Sequence, residues 1–184
     1  MTGENFISSD KIKILVFSDV HHDVKRLEKV IKQEAADINL CLGDWFDSHY
    51  YDNNDDCKRT AEFLVDFVEK PNNITLFGNH DVSYLFSKNR FTSCSGYELR
   101  KLEIIREAFG AKMQDVVSKF RWFIFLDEYL CTHAGLHKKF IPQVDNWREV
   151  LSDYLAAQTN DCDIKIRSGQ DHWFYGAGRA RGGY

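Results

Sequence analysis

Eight side chains in this sequence could take part in one piece of chemistry: Asp19, His21, Asp44, Asp47, Asn79, His80, Asp81 and His133. They amount to four carboxylates, three imidazoles and an amide. Each falls in a short polar cluster directly after an apolar run. Asp19-Val20-His21-His22-Asp23 follows KIKILVFS, Gly43-Asp44-Trp45-Phe46-Asp47 follows INLCL, Gly78-Asn79-His80-Asp81 follows ITLF, and His133-Ala134-Gly135 follows YLCT. Four carboxylates gathered in one cleft repel one another and are driven toward protonation unless cations sit among them. Mixed oxygen and nitrogen donors without thiolates suit borderline divalent ions such as Mn, Fe or Zn. Taken singly, an Asp after a strand is an ordinary helix cap or turn former, and Gly43 and Gly78 read as ordinary turn glycines. The joint occurrence favours a metal site. Asp81 is balanced between supporting that site and capping a helix.

The elements that must position these groups follow from periodicity. Residues 11–18 read as a buried strand. Residues 25–35 carry Leu27, Val30 and Ile31 at helical spacing. Residues 38–42 form a second strand, 48–56 a polar loop, 60–69 an amphipathic helix closed by Pro71, and 74–77 a third strand. Such a βαβαβ order predicts a largely parallel sheet with right-handed crossovers. It brings the polar clusters to the C-terminal ends of their strands, the edge where open α/β sheets place ligands. Further on, 84–97 reads as a loop-rich excursion. Residues 98–109 read as a helix with Leu99, Leu102, Ile105 and Ala108 or Phe109 on one side. Runs 120–126 and 129–131 predict an antiparallel hairpin. Residues 145–157 predict a last helix, capped by Asp145 and carrying Trp147, Val150, Leu151 and Tyr154.

At 184 residues and 21.5 kDa the chain suffices for one domain, residues 1–184, with a substantial core. Its 24 Lys and Arg against 28 Asp and Glu give a net charge of −4, which disfavours long nucleic acid and anionic membrane as partners. With no signal-peptide pattern and no membrane-length apolar run, the expectation is a soluble cytoplasmic protein. Five cysteines without a C-x-x-C pair argue against a disulfide framework or zinc knuckle. Cys41 and Cys131 read as small buried hydrophobes.

The ordered set Asp19-x-His21, Gly43-Asp44-x-x-Asp47, Gly78-Asn79-His80-Asp81 and His133-Ala134-Gly135-Leu136 resembles the calcineurin-like metallophosphoesterases. Within them it is most similar to the Ser/Thr protein phosphatase and phage-phosphatase branch. The resemblance spans roughly residues 11–136. It implies an α/β fold with a central mixed β-sandwich flanked by helices in four layers. It also implies a hydrolase that cleaves phosphate esters by attack of a metal-bridging hydroxide. By the same resemblance, Asp19 and His21 hold the first of two divalent ions, Asp44 bridges both, and Asn79 and His133 hold the second. His80 is then the general acid, oriented by Asp47. Phosphorylated small molecules, nucleotides and phosphoproteins are all compatible substrates.

Two departures carry expectations of their own. Where the protein-phosphatase pattern continues with Arg-Gly, this chain has Ser48-His49-Tyr50, so Arg179 and Arg181 in the Gly-rich tail become the candidates for phosphate contact. His49 and His22 read as bystanders. The family also supplies a later Gly-His to the second metal, and none follows His133; His137 and His172 are the only histidines downstream. The expectation is a natural polypeptide that continues past Tyr184 to supply missing C-terminal strands, with a weakly held second metal and low activity in this chain. The rival reading is a non-catalytic or metal-deficient scaffold of the same fold, and the pairing of Asp47 with His80 argues against it.

Overall fold

The computed structural model describes residues 11–50, 53–86, 94–127, 129–135, 144–150 and 153. Four parallel strands form the main sheet in the order β1-β2-β3-β4: β1 Ile14–Phe17, β2 Ile38–Cys41, β3 Asn73–Leu76 and β4 Phe120–Arg121. Helix α1, Val24–Glu34, links β1 to β2, and α2, Asn54–Glu69, links β2 to β3. Between β3 and β4 run α3, Asn79–Leu85, α4, Leu99–Phe109, and α5, Met113–Lys119, with a 3₁₀ turn before α5. A second, two-stranded antiparallel sheet pairs β5, Phe123–Leu126, with β6, Tyr129–Thr132. The architecture is therefore mixed α/β, with a parallel sheet flanked by helices.

The core explains how the loop after β2 is anchored. Trp45 and Phe46, the two middle residues of the cluster after β2, are fully buried. Trp45 donates its indole N–H to Thr75 Oγ1 at 2.8 Å and packs against Phe17 and Phe67. Phe46 packs edge-on against Tyr84 of α3. Two large aromatics driven into the core pin the backbone of Asp44 and Asp47 on either side of them, so a segment that reads as polar loop is anchored like a strand.

Several elements differ from expectation, each for a local reason. Helix α2 begins at Asn54, inside the expected loop, because Asn53 caps it by accepting from the Asp56 N–H, and Asp55 and Asp56 suit the positive end of the helix. The excursion expected at 84–97 is preceded by α3, which makes Asn79 and His80 first-turn residues of a helix. The run 120–126 is not one strand. Trp122 lies on Phe77, with ring centroids 4.5 Å apart, and there the chain passes from β4 of the parallel sheet to β5 of the hairpin. On α4, Leu99 is 68% exposed, and Lys101 is buried in its place beside Leu102, Ile105 and Phe109. Helical backbone near the end begins at Trp147, after Asn146 rather than Asp145, and the Trp147 ring packs on Phe125. Most of the rest of that expected helix lies outside the described residues. Cys41 is fully buried, whereas Cys131 is only half-buried.

Candidate metal centre and acid pair

The loops after β1 and β2 continue the parallel pairing of their strands. Asp19 N–H donates to Gly43 O, His21 N–H to Asp44 O and His22 N–H to Trp45 O, each at 3.0 Å. Asp19, His21, His22, Asp44 and Asp47 all adopt positive φ, between 43° and 67°. Left-handed backbone at a residue other than glycine costs on the order of 1–3 kcal/mol and persists only where surrounding contacts enforce it. Here the loop-to-loop bonds and the buried Trp45 and Phe46 supply that enforcement. Gly43 and Gly78 are more than turn glycines. A Cβ on Gly43 would stand 2.4 Å from Gly78 N, and one on Gly78 only 2.1 Å from Asp44 Oδ1, so the two strand ends meet backbone to backbone.

Asp81 locks this junction from below. Fully buried, it accepts from the N–H groups of Asp44, Trp45 and Gly78 at 2.8–2.9 Å. Burial, with the charge of Asp44 nearby, pushes its pKa up to about 7 against the pull of those three donors. The two roles open to it in the sequence are both real: it caps α3 through Gly78 and supports the loop that carries Asp44.

The structure brings Asp19, His21, Asp44, Asn79 and His133 together. One donor atom each from Asp19, His21 and Asp44 lie within 4.8 Å of one another. His21 Nδ1 lies 2.6 Å from Asp47 O and 3.1 Å from Phe46 O, while its Nε2 faces Asp19 Oδ1 at 3.6 Å. His133 arrives from the second sheet, with Nδ1 2.9 Å from Leu42 O. Its Nε2 stands 3.3 Å from both Asp44 Oδ2 and Asn79 Oδ1. In both histidines a backbone carbonyl draws the proton to Nδ1 and leaves Nε2 as an electron-pair donor turned toward oxygen donors. That is the arrangement in which imidazoles serve a metal. The donor set thus fits one or two borderline divalent ions. Burial works against ionisation of Asp44, but with no metal present a proton on His133 Nε2 takes the place between them, and this hydrogen bond and charge, with His80 beside it, hold the Asp44 carboxyl below the usual range. Burial likewise disfavours charge on His133, and Asp44 raises it.

Next to this cluster lies a different one. His80 N–H donates to Asp44 Oδ1 at 2.9 Å, and His80 Nδ1 meets Asp47 Oδ2 at 2.8 Å. The His80 ring stands edge-on to that of His21, centroids 5.2 Å apart. Burial opposes charge on His80, yet the Asp47 carboxylate outweighs it and lifts the pKa to about 10. Asp47 is held far below the ordinary carboxylate range despite burial, because His80, Tyr84, Lys101 and Cys94 all bond to it. The Asp47 carboxylate thus favours the charged, proton-bearing form of the His80 ring.

His22 is not a bystander. Buried to 2% exposure, it accepts the Asp47 N–H at Nε2 (3.0 Å), while Nδ1 pairs with Thr60 Oγ1 of α2 (2.9 Å). It ties the loop after β1 to the loop after β2. His49 is exposed. Arg179, Arg181, His137 and His172 lie outside the described residues. Tyr84, Cys94 and Lys101, all bonded to Asp47, were not candidates from the sequence; the one available signal was a lysine four residues before Ile105 on the apolar stripe of α4.

No curated protein matches the chain. A solved cold-active protein-tyrosine phosphatase of a psychrophile Shewanella sp. superposes with a TM-score of 0.56 at 19% identity, over 91% of this chain and 55% of that one. A further structure of a cold-active protein tyrosine phosphatase gives 0.55 at 19% identity, over 83% of this chain and 48% of the other. At such identities the likeness is one of fold, and the chain spans about half the length of these structures. The family model of the calcineurin-like phosphoesterases matches residues 12–181. With four ordered motifs meeting at one sheet edge and nearly the whole chain matched, the protein belongs to the calcineurin-like phosphoesterase family.

Proposed function

We propose that the chain is a phosphohydrolase that works with two divalent cations and a histidine acid. Asp19 and His21 would hold one ion, Asn79 and His133 the other, and Asp44 would serve both. The observation that carries this reading is the position of Asp44. It belongs to the Asp19–His21 group and at the same time faces His133 Nε2 at 3.3 Å. When bound, such ions neutralise phosphate oxygens, act as Lewis acids and acidify a coordinated water. His80, held protonated and oriented through Nδ1 by Asp47, would deliver its proton from Nε2 to the leaving oxygen. Arg179 and Arg181 are the candidates for guanidinium contacts to the phosphate. Phosphomonoesters, nucleotides and phosphoproteins form the substrate panel. Phosphotyrosyl peptides belong on it because solved relatives in fold are protein-tyrosine phosphatases.

Two measurements test this. Metal content at saturating Mn should reach two ions per chain, with the position at Asn79 and His133 filling last because its amide brings no charge to attract a dication. Turnover of phenyl phosphate should require the metal and fall by about 10²-fold or more in His80→Ala. Absence of turnover with Mn, Fe or Zn would overturn the reading in favour of a binding scaffold. Equal rates in wild type and His80→Ala would remove the acid from it.

A further inference from the structure

Asp47 has more partners than an orienting carboxylate requires. His80 Nδ1 is at 2.8 Å and Cys94 Sγ at 3.1 Å from Oδ2, while the Tyr84 hydroxyl and the Lys101 ammonium donate to Oδ1 at 2.6 Å and 2.9 Å. Lys101 is 5% exposed, and burying an ammonium is costly unless it is well paired. Besides Asp47 it donates to Gly96 O at 3.0 Å and lies 3.7 Å from Glu98 Oε1. Gly96, at φ 117°, is packed onto the same carboxylate, since a Cβ there would stand 3.2 Å from Asp47 Cγ. Helix α4 and the residues leading into it therefore form a clamp on Asp47 that lies outside the polar clusters at the strand ends.

We propose that Lys101 is a positioning residue for the acid step, occupying Asp47 Oδ1 so that Oδ2 is committed to His80. This rests on the function proposed above. A carboxylate's terminal torsion is broad and roughly two-fold, so an Asp with one partner can present either oxygen and turn through intermediate angles. Two donors on Oδ1, both charge-assisted by the carboxylate and one of them an ammonium that also pairs with it as an ion, fix the plane. With the plane fixed, Oδ2 has one direction, and the His80 ring bonded to it has one orientation. Tyr84 alone would satisfy the hydrogen-bonding capacity of Oδ1 toward one donor. The second, charged donor adds rigidity and not mere satisfaction.

The experiment uses the full chain and two leaving groups. Acid assistance matters most for a poor leaving group, so Lys101→Met should lower kcat on phenyl phosphate roughly tenfold or more and on p-nitrophenyl phosphate by less than about threefold. His80→Ala should show the same split, larger. A second readout needs no turnover. In metal-free protein the hydrogen-bonded Nδ1–H of His80 should give a low-field proton resonance that Lys101→Met broadens or abolishes while the cooperative melt is retained. Should Lys101→Met not fold, Lys101→Gln keeps a neutral donor, about one bond shorter, and should show a split of the same kind. Equal loss on both substrates, or an unchanged His80 resonance, would overturn the proposal. If the wild type turned over neither substrate, the phosphohydrolase reading would fail, and the resonance would still decide whether Lys101 positions His80.

Discussion

The two clusters at the sheet edge are built on opposite electrostatic plans. Around Asp44, electron-pair donors face one another: His21 Nε2 toward Asp19 at 3.6 Å, and His133 Nε2 toward Asp44 and Asn79 at 3.3 Å. Around Asp47, every acceptor meets a donor: His80, Cys94, Tyr84 and Lys101 on the side chain. The central carboxylates are equally buried, Asp44 at 5% and Asp47 at 6% of side-chain area, so the difference lies in what faces them and not in exposure. Acceptors that face acceptors are favourable only with a proton or a cation between them, whereas a carboxylate ringed by donors is satisfied within the protein. In one cluster electron-pair donors face one another, an arrangement a cation would satisfy; in the other the Asp47 carboxylate is satisfied within the protein, with Oδ2 2.8 Å from His80 Nδ1.

That contrast is sharpest if one carboxylate is removed from each side. Asp44→Ala should abolish stoichiometric metal binding, measured as metal per chain after dialysis, and reduce turnover by roughly 10³-fold, because several kcal/mol of charge stabilisation go with the ions. Its cost to the metal-free fold should be small by comparison. Asp47→Asn should do the reverse. It leaves the Lys101 ammonium buried without its counter-charge, and breaking such a pair costs about 3–5 kcal/mol, read as a lower midpoint in urea. Metal content should stay near that of the wild type. If the two variants lost stability and metal in equal measure, the division into an open and a closed cluster would be wrong.

What the sequence discloses follows the same line. The cluster around Asp44 is legible for Asp19, His21, Asp44 and Asn79, which sit just after the apolar runs of parallel strands that must bring such positions to one edge, whereas His133 follows an antiparallel strand of the second sheet and its place beside Asp44 depends on how that sheet packs. The glycine pair Gly43 and Gly78 is visible as residues, but that they meet backbone to backbone depends on β2 and β3 lying adjacent in register. The closed cluster is nearly invisible. Lys101 lies 54 positions from Asp47, and a lysine on a helix ordinarily reads as solvent-facing. Only the docking of α4 against α2 turns that side of the helix inward, burying Lys101 and leaving Leu99 outside. The early start of α2 is not legible because Asn53, Asp55 and Asp56 favour a loop and a helix N-terminus alike, and the choice falls to the buried Cys57, Thr60 and Ala61 that follow.

The smallest expected effect is a pH dependence confined to the closed cluster. In the metal-free protein the His80 pKa is about 10, above its ordinary 6.5, so the folded state retains a proton that the unfolded chain releases. The resulting stability is whole below pH 6.5 and drains away as pH rises toward 10. The depressed Asp47 contributes in the opposite sense, present above the ordinary carboxylate range and lost only as pH falls below it. Asp81, raised to about 7, also costs stability as pH rises, but that loss is finished near neutrality. His133, raised by Asp44, adds to the loss in the alkaline range, so the test is a difference between proteins. Between about pH 7.5 and 9.5 the melting temperature of wild type should fall more steeply than that of His80→Gln. Parallel curves would mean that Asp47 holds His80 as a neutral hydrogen-bond partner and not as an ion.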